Sequence, residues 1–257
     1  MIISIISAKG GVGKTTIALN LGLLLSQSGK KTVIVDADIA MANVAIMLGI
    51  NRAPINLHNV LMGEANIKDA MYEGPNKLKY VPSGLSAEKV KRLDLARLSS
   101  AIEELSSNDY VIVDSAPGLD QVVETTIKSC KEMILVTTAE PASLADTLKV
   151  KNYANKAGIK TIGIIVNRIL KDPSEVKKQD IETLTNLKII GEIPDDIEVR
   201  RATASQTLVT IRKPHAPACV AMRKIASFLE GGKITEEKKV KKGFFASIID
   251  KILGKKN

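Results

Sequence analysis

Residues 9–16 read Lys9-Gly10-Gly11-Val12-Gly13-Lys14-Thr15-Thr16, three glycines followed by a lysine and two hydroxyls. Glycines at that spacing let the backbone turn tightly enough for successive N–H groups to point at one anion. A helix starting just after them presents its positive end to the same place. In such a phosphate-binding loop Lys14 reaches the β- and γ-phosphates and the Thr15 hydroxyl sits on Mg²⁺, so ATP and Mg²⁺ are the expected cofactors. Two further carboxylate sites suit the same chemistry. Asp114 closes the apolar run Tyr110-Val111-Ile112-Val113, and an aspartate delivered at a strand end in this way holds Mg²⁺ or its waters. Asp36-Ala37-Asp38 closes the run Thr32-Val33-Ile34-Val35 and brings carboxylates to the edge where doubly wound sheets bind ligands.

These residues need a scaffold. The apolar run Ile2 to Ser7 precedes the loop and Ile17-Ala18-Leu19-Asn20-Leu21 follows it, giving strand, loop and helix in succession. Short apolar runs of the buried parallel-strand type return at Met133 to Thr138, Ile162 to Asn167 and Lys188 to Ile193, with a weaker one at Leu78 to Val81. Helical patterns occupy 91–106, Ser143 to Ala157 and Pro173 to Leu184, and the mixed stretch Ala53 to Glu73 reads as short helices and loops. Strands alternating with helices predict an α/β fold, a mostly parallel twisted sheet with helices on both faces.

At 257 residues the chain can bury a substantial core in one domain. The expected organisation is a P-loop ATPase domain over 1–232, a charged linker over 233–242 and an amphipathic helix over 243–257. No apolar run reaches the ~18 residues a spanning helix needs, and no basic leader with a cleavage site opens the chain. A cytoplasmic protein is therefore expected. Cys130 and Cys219 are the only cysteines, and His58 and His215 the only histidines, which leaves no thiol or imidazole metal cluster within one chain. The net charge is +9, but from Lys233 to Asn257 eight lysines face only Glu236, Glu237 and Asp250. More than half of the excess thus sits in the last tenth of the chain, which argues against a domain coated in nucleic acid.

The glycine loop departs from G-x-x-x-x-G-K-[ST] in two ways: Ala8 stands where the first glycine belongs, and an extra lysine, Lys9, opens the loop. In this it resembles the deviant Walker A loop of the MinD/ParA family of ATPases. The resemblance implies that Lys9 reaches across a nucleotide-sandwich homodimer to the phosphates held by the other subunit. It also implies that Asp38 lies in a switch segment and orients the attacking water near Mg²⁺, with Asn43 a lesser switch residue. On residue type alone Asp38 could equally be a solvated turn carboxylate. Val166-Asn167-Arg168 resembles the family's adenine-side motif, and Gly191-Glu192-Ile193-Pro194-Asp195-Asp196 resembles the loop that closes over the base. Asn167, Arg168, Pro194 and Asp195 are thereby implied as nucleotide contacts. An asparagine amide can both donate to and accept from an adenine edge, though it can also simply cap a strand.

The tail carries a second signal. Phe244, Phe245, Ile248, Ile249, Ile252 and Leu253 recur in pairs every four residues, with Lys241, Lys242, Lys251, Lys255 and Lys256 around them. Apolar residues on one helical face with lysines elsewhere describe a helix lying in an anionic membrane interface. Lys241-Lys242-Gly243-Phe244-Phe245 resembles the basic tail of MinD proteins. The expectation is an ATPase that dimerises with ATP, settles peripherally on the inner membrane surface and positions cell-division or other polar machinery. A terminal helix packed on the domain or on a protein partner is the alternative for the tail. The alternative for the whole chain is a ParA-like partition ATPase that binds DNA non-specifically, for which Arg200, Arg201, Arg212 and Lys213 could supply charge. No cis arginine finger is recognisable, so slow turnover and a protein partner or activator are expected.

Overall fold

The structure, a computed structural model, describes residues 1–50, 52–84, 90 and 92–232. Its elements run β1 (Ile2–Ser7), α1 (Lys14–Gln27), β2 (Thr32–Ala37), α2 (Val44–Met47), α3 (Leu57–Leu61), β3 (Tyr72–Glu73), β4 (Lys79–Val81), α4 (Arg97–Glu103) and β5 (Tyr110–Pro117). They continue as α5 (Gln121–Lys128), β6 (Glu132–Thr137), α6 (Pro141–Lys156), β7 (Lys160–Ile169), α7 (Lys178–Thr185), β8 (Ile189–Pro194), α8 (Ile197–Ala204), α9 (Val209–Arg212) and α10 (Pro217–Leu229).

The strands form one sheet in the order β3-β4-β2-β5-β1-β6-β7-β8, parallel throughout except for the short edge strand β3, which pairs antiparallel with β4. The expected α/β architecture is therefore present, with one antiparallel edge that the turn-rich stretch before Lys79 did not announce. The strands are apolar at nearly every position because both faces are covered. Tyr110 and Ile112 of β5 pack with Ile3, Ile5, Ile34, α1 and α10 on one side, and Val111 and Val113 pack with Val33, Val35 and Leu57 of α3 on the other. Across β1 the opposite face continues through Ile6, Met133, Leu135 and Val166 against α5 and α6.

Sheet order reverses at β1. The chain leaves β1 for β2 on one side, later fills the gap with β5, and then builds β6, β7 and β8 on the other side. In an open parallel sheet the crevice at such a reversal, beyond the carboxyl ends of the strands, is where ligands bind. The glycine loop lies there, between β1 and α1.

Two helices begin later than the hydropathy pattern predicts. Over Pro173 to Leu184 the helix starts only at Lys178, because Asp172 Oδ1 accepts the Ser174 N–H and hydroxyl while the Glu175 carboxylate accepts the N–H groups of Leu170 and Asp172. These side chains give the backbone an alternative to a first helical turn. Over 91–106 the helix is Arg97–Glu103, preceded by a turn in which Asp94 accepts the Ala96 N–H. No helix among the described residues is long and apolar enough to cross a membrane. The tail residues Phe244, Phe245, Ile248, Ile249, Ile252 and Leu253, and the 233–242 linker, lie outside the described residues.

Close approach of α10 to the sheet depends on Gly191 of β8, where an added Cβ would run into Cδ1 and Cγ1 of Ile225. Ile225 is wholly buried, so it has nowhere to move. Gly191→Ala is expected to cost about 1–3 kcal/mol by overpacking and to lower Tm by roughly 3–10 °C. A thermal melt unchanged from the parent chain would show that this contact is not tight.

Candidate functional site

The loop from Ala8 to Gly13 needs glycine at two positions: Gly11 and Gly13 have φ of +74° and +97°, the left-handed region that side chains resist. Gly13 is constrained twice. The Asn167 amide donates to the Val12 carbonyl at 2.7 Å, and a Cβ on Gly13 would collide with that same amide nitrogen. The end of β7 is thereby tied directly to the loop, and α1 starts at Lys14 with its unpaired N–H groups facing the crevice.

Lys14 is buried, and its neighbours are acidic. Loss of water pulls its pKa down, while Asp114, Asp38 and Asp36 act in the other direction. Asp36 and Asp114 are register partners at the carboxyl ends of β2 and β5, both fully buried. Asp36 is well hydrogen-bonded: one oxygen accepts from the N–H groups of Asn43 (3.1 Å) and Val44 (3.0 Å), the other from Asp38 N–H at 3.2 Å. It organises the 38–44 segment, in which Asp38 Oδ1 accepts the Met41 N–H at 3.1 Å. Burial, ahead of the neighbouring Asp114 charge, still holds Asp36 well above the usual carboxylate range. Burial also raises Asp38.

Asp114 differs. Neither of its buried oxygens has a partner in hydrogen-bond geometry. Burial pushes its pKa up to about 7, only partly offset by the Thr15 hydroxyl beside it and by Lys14. An unpartnered buried carboxylate next to a threonine hydroxyl is a hard-oxygen donor set, and it fits Mg²⁺. Among the described residues no group of three or more His, Cys, Asp or Glu side chains is arranged to hold a metal ion by itself. A cation here would need other ligands, and Mg²⁺ characteristically takes one or two carboxylates together with phosphate oxygens and water.

Lys9 stands apart from this cluster. It is half-buried at the loop's start, where its carbonyl accepts the Ser7 hydroxyl at 2.7 Å, and its charge is felt at Asp146 on α6. The cation felt at Asp114 and Asp38 is that of Lys14.

Beside the loop, a cleft opens between α1, the ends of β7 and β8, and α10. Ile17, Ile193, Pro194 and Met222 give it an apolar floor, and Gly13, Thr16, Asn167 and Arg168 line its loop side. Arg168 follows Asn167 with φ +56°, a left-handed conformation unusual for arginine. Asp195 lines the cleft in an ion pair with Arg200. Asp196 caps two helices: its carboxylate accepts from Glu198 N–H at 2.9 Å and Ala218 N–H at 3.1 Å, which joins the starts of α8 and α10.

The structure thus gathers Gly10, Gly11, Val12, Gly13, Lys14, Thr15, Thr16, Asp38 and Asp114 at one point, and Asn167, Arg168, Pro194 and Asp195 around the adjoining cleft. Sequence reasoning put Asp36 at the ligand-binding edge and Asp196 in the loop over the base without a role for either, and it passed over Met222 and His58, whose Nε2 lies 3.0 Å from the Ile39 carbonyl oxygen. Asp36 was visible as the first carboxylate of D-x-D, and Asp196 as an aspartate ahead of a helix. Nothing in the sequence marked His58.

The profile of the CobQ/CobB/MinD/ParA nucleotide binding domain matches residues 3–209. The chain belongs to that family. An ATP-binding protein of Methanocaldococcus jannaschii is 37% identical over 256 residues, covering 99% of this chain and 97% of the relative. Among solved structures, the cell division ATPase MinD of Pyrococcus furiosus superposes with a TM-score of 0.86 at 33% identity, covering 90% of this chain and 98% of that one. The septum site-determining protein MinD of Pyrococcus horikoshii, in complex with Mg-ADP, superposes with a TM-score of 0.85 at 32% identity, covering 89% and 95%. The MinD/ParA resemblance seen in the loop therefore extends over the domain.

The Asp114 shift gives this site a pH signature. A carboxyl whose pKa is raised from 3.8 to about 7 holds a proton in the metal-free folded chain that the unfolded chain has released. Folding stability contributed by this group is therefore full below pH 4 and is lost as pH rises towards 7. Asp114→Asn should raise the Tm of the metal-free chain at pH 8 by several degrees and change it little at pH 4. It should also remove the extra stabilisation that Mg²⁺ adds to a bound nucleotide. Thermal melts at the two pH values, with and without Mg-ADP, check both; an unchanged metal-free Tm at pH 8 would mean the carboxylate is not strained.

Proposed function

We propose that this chain is an ATP-hydrolysing switch: ATP brings two copies together, the pair resides on the inner membrane surface through the C-terminal segment, and hydrolysis releases it. The observation that carries the ATPase half is the orphaned Asp114 carboxylate beside Thr15 and Lys14 at the mouth of the glycine loop. When bound, Mg²⁺ would neutralise part of the phosphate charge. Asp114 and the Thr15 hydroxyl are the groups to hold it or its waters. The N–H groups of Gly10 to Thr16 and the Lys14 ammonium take the phosphate charge, and Asp38 orients the water that attacks. That water's oxygen bonds to the γ-phosphorus as the bond to the ADP oxygen breaks, leaving ADP and phosphate. Catalysis of this kind is positioning and electrostatics, with no covalent step asked of the protein.

The apolar cleft beside Asn167 suits a flat base. The Asn167 amide already spends one hydrogen on Val12, which leaves its second N–H and its oxygen for an adenine edge. The placement of Lys9 supports dimerisation: the lysine acting on Asp38 and Asp114 is Lys14, which leaves Lys9 available for a partner's phosphates. The likeness to two MinD ATPases and the basic amphipathic pattern of the tail support the membrane half and the role in positioning division or other polar machinery. Each lysine near an anionic leaflet contributes at most about 1 kcal/mol. One tail binds weakly, and two on one dimer gain avidity of about a hundredfold or more. Nucleotide state then governs membrane residence.

DNA partition is the weaker reading. Arg200 is paired with Asp195, and Arg201 and Arg212 share Glu198, so much of the positive charge on that face is already answered.

Co-sedimentation with anionic vesicles should pellet the full chain with Mg-ATP, much less with Mg-ADP, and should fail in either state for a chain ending at Gly232. Pelleting that ignores nucleotide, or that survives truncation, would overturn the switch. Lys9→Ala should bind ATP with nearly unchanged affinity yet lose ATP-dependent dimerisation and at least about tenfold in hydrolysis; normal values of both would remove the trans-acting role.

A further inference from the structure

We propose that His58 is a positioning residue for hydrolysis, holding the Asp38 carboxylate in place through the main chain of Ile39. The proposal rests on the reading of Asp38 as the water-orienting group. His58 lies on α3, twenty residues beyond Asp38, and is buried beneath the segment that carries it. Its Nε2 is 3.0 Å from the Ile39 carbonyl oxygen. A carbonyl can only accept, so Nε2 carries the hydrogen and the tautomer is assigned by the contact. The Ser83 hydroxyl sits 3.4 Å from the same nitrogen.

The ring itself is clamped. Asn56 caps α3 with a reciprocal box to Asn59, and its side chain accepts the His58 N–H at 3.1 Å. Gly84 leaves room for the ring: a Cβ there would overlap Nδ1 and lie 2.6 Å from Cγ. The Leu57 N–H bonds the Pro82 carbonyl at 2.9 Å, so the segment after β4 and α3 move as one body. The 38–44 segment is thus pinned from two sides, by the Asp36 carboxylate at Asp38, Asn43 and Val44 and by His58 at Ile39. Asp36 holds N–H groups and His58 holds a carbonyl. The first bond holds the peptide before Asp38 and the second the peptide after Ile39, so the two anchors bracket the Asp38-Ile39 pair and limit the directions in which the Asp38 side chain can leave the chain.

Loss of this anchor should cost hydrolysis and spare nucleotide binding, because His58 is not among the residues that line the cleft. Single-turnover hydrolysis of Mg-ATP by the full chain, with Kd for Mg-ADP measured in parallel, tests it. His58→Ala should fall about ten- to a hundredfold in rate with Kd within about twofold. His58→Gln should recover most of the rate, since its amide N–H reaches the same carbonyl. Gly84→Ala, which keeps the histidine but displaces it, should fall like His58→Ala, and it guards against a cavity variant that fails to fold. Asp38→Asn serves as reference. If Asp38→Asn is inactive while His58→Ala and Gly84→Ala turn over normally, the positioning role is wrong and the Asp38 reading stands. If Asp38→Asn turns over normally, the Asp38 reading falls and takes this inference with it. If His58→Gln is as damaged as His58→Ala and Kd rises with both, His58 is only core packing and the inference is overturned.

Discussion

Three buried carboxylates share one buried lysine at the carboxyl edge of this sheet. With Asp36, Asp38 and Asp114 ionised, Lys14 leaves the site acidic before any ligand arrives, and a polyphosphate would add further negative charge. Loss of water is the first reason the three acids resist ionisation, and repulsion from neighbouring carboxylates adds to it at Asp36 and Asp114. A nucleotide and a divalent cation are therefore interdependent here: phosphate alone is repelled by the acids, and a cation alone finds too few ligands. The unpartnered Asp114 oxygens are the local cost of being ready for that joint arrival.

Holding such a site requires a frame that cannot relax around it. Asp36 and Asp114 lie in the carboxyl halves of adjacent, register-paired central strands whose apolar residues are locked into cores on both faces. A loop-borne carboxylate would swing to water; these cannot without moving the strands. The same rigidity reaches the glycine loop through Asn167, which bonds Val12 and leaves no space for a side chain at Gly13. Asp38 is the exception among the acids. It sits on an irregular segment, so its placement depends on anchors from outside that segment.

That division explains what could be read from the amino-acid sequence. Strands buried on both faces must be apolar at every position, so β1, β2, β5, β6, β7 and β8 and the carboxylates at their ends were legible from local composition. The glycine loop was legible because its backbone conformation dictates its residues. The start of α7 was not, because Asp172 and Glu175 divert a stretch of helical pattern into a turn. Strand β3 is two residues long and owes its existence to pairing with β4. His58 could not be found because its meaning lies in contacts with Ile39 and Ser83, which only the fold brings near.

Helix α10 bears on how nucleotide state could reach residues 233–257 in the switch proposed above. Its first turn is held by Asp196 at the nucleotide cleft, and Met222 lines that cleft. Its last residue, Leu229, accepts the Tyr110 hydroxyl at 2.9 Å at the opposite, amino-terminal edge of the sheet, and Glu230 accepts the Ser28 hydroxyl there. The 13-residue helix spans about 20 Å, buried along the sheet and fastened at both ends. An element fastened in this way is poorly suited to sliding or tilting with each nucleotide. It fixes the point from which residues 233–257 depart, far from the phosphates of its own chain. The proposed control of those residues by ATP then falls more naturally to the number of tails presented together than to a shape change within one chain. That places the regulatory weight on Lys9 and the surface around the glycine loop, where two chains would meet.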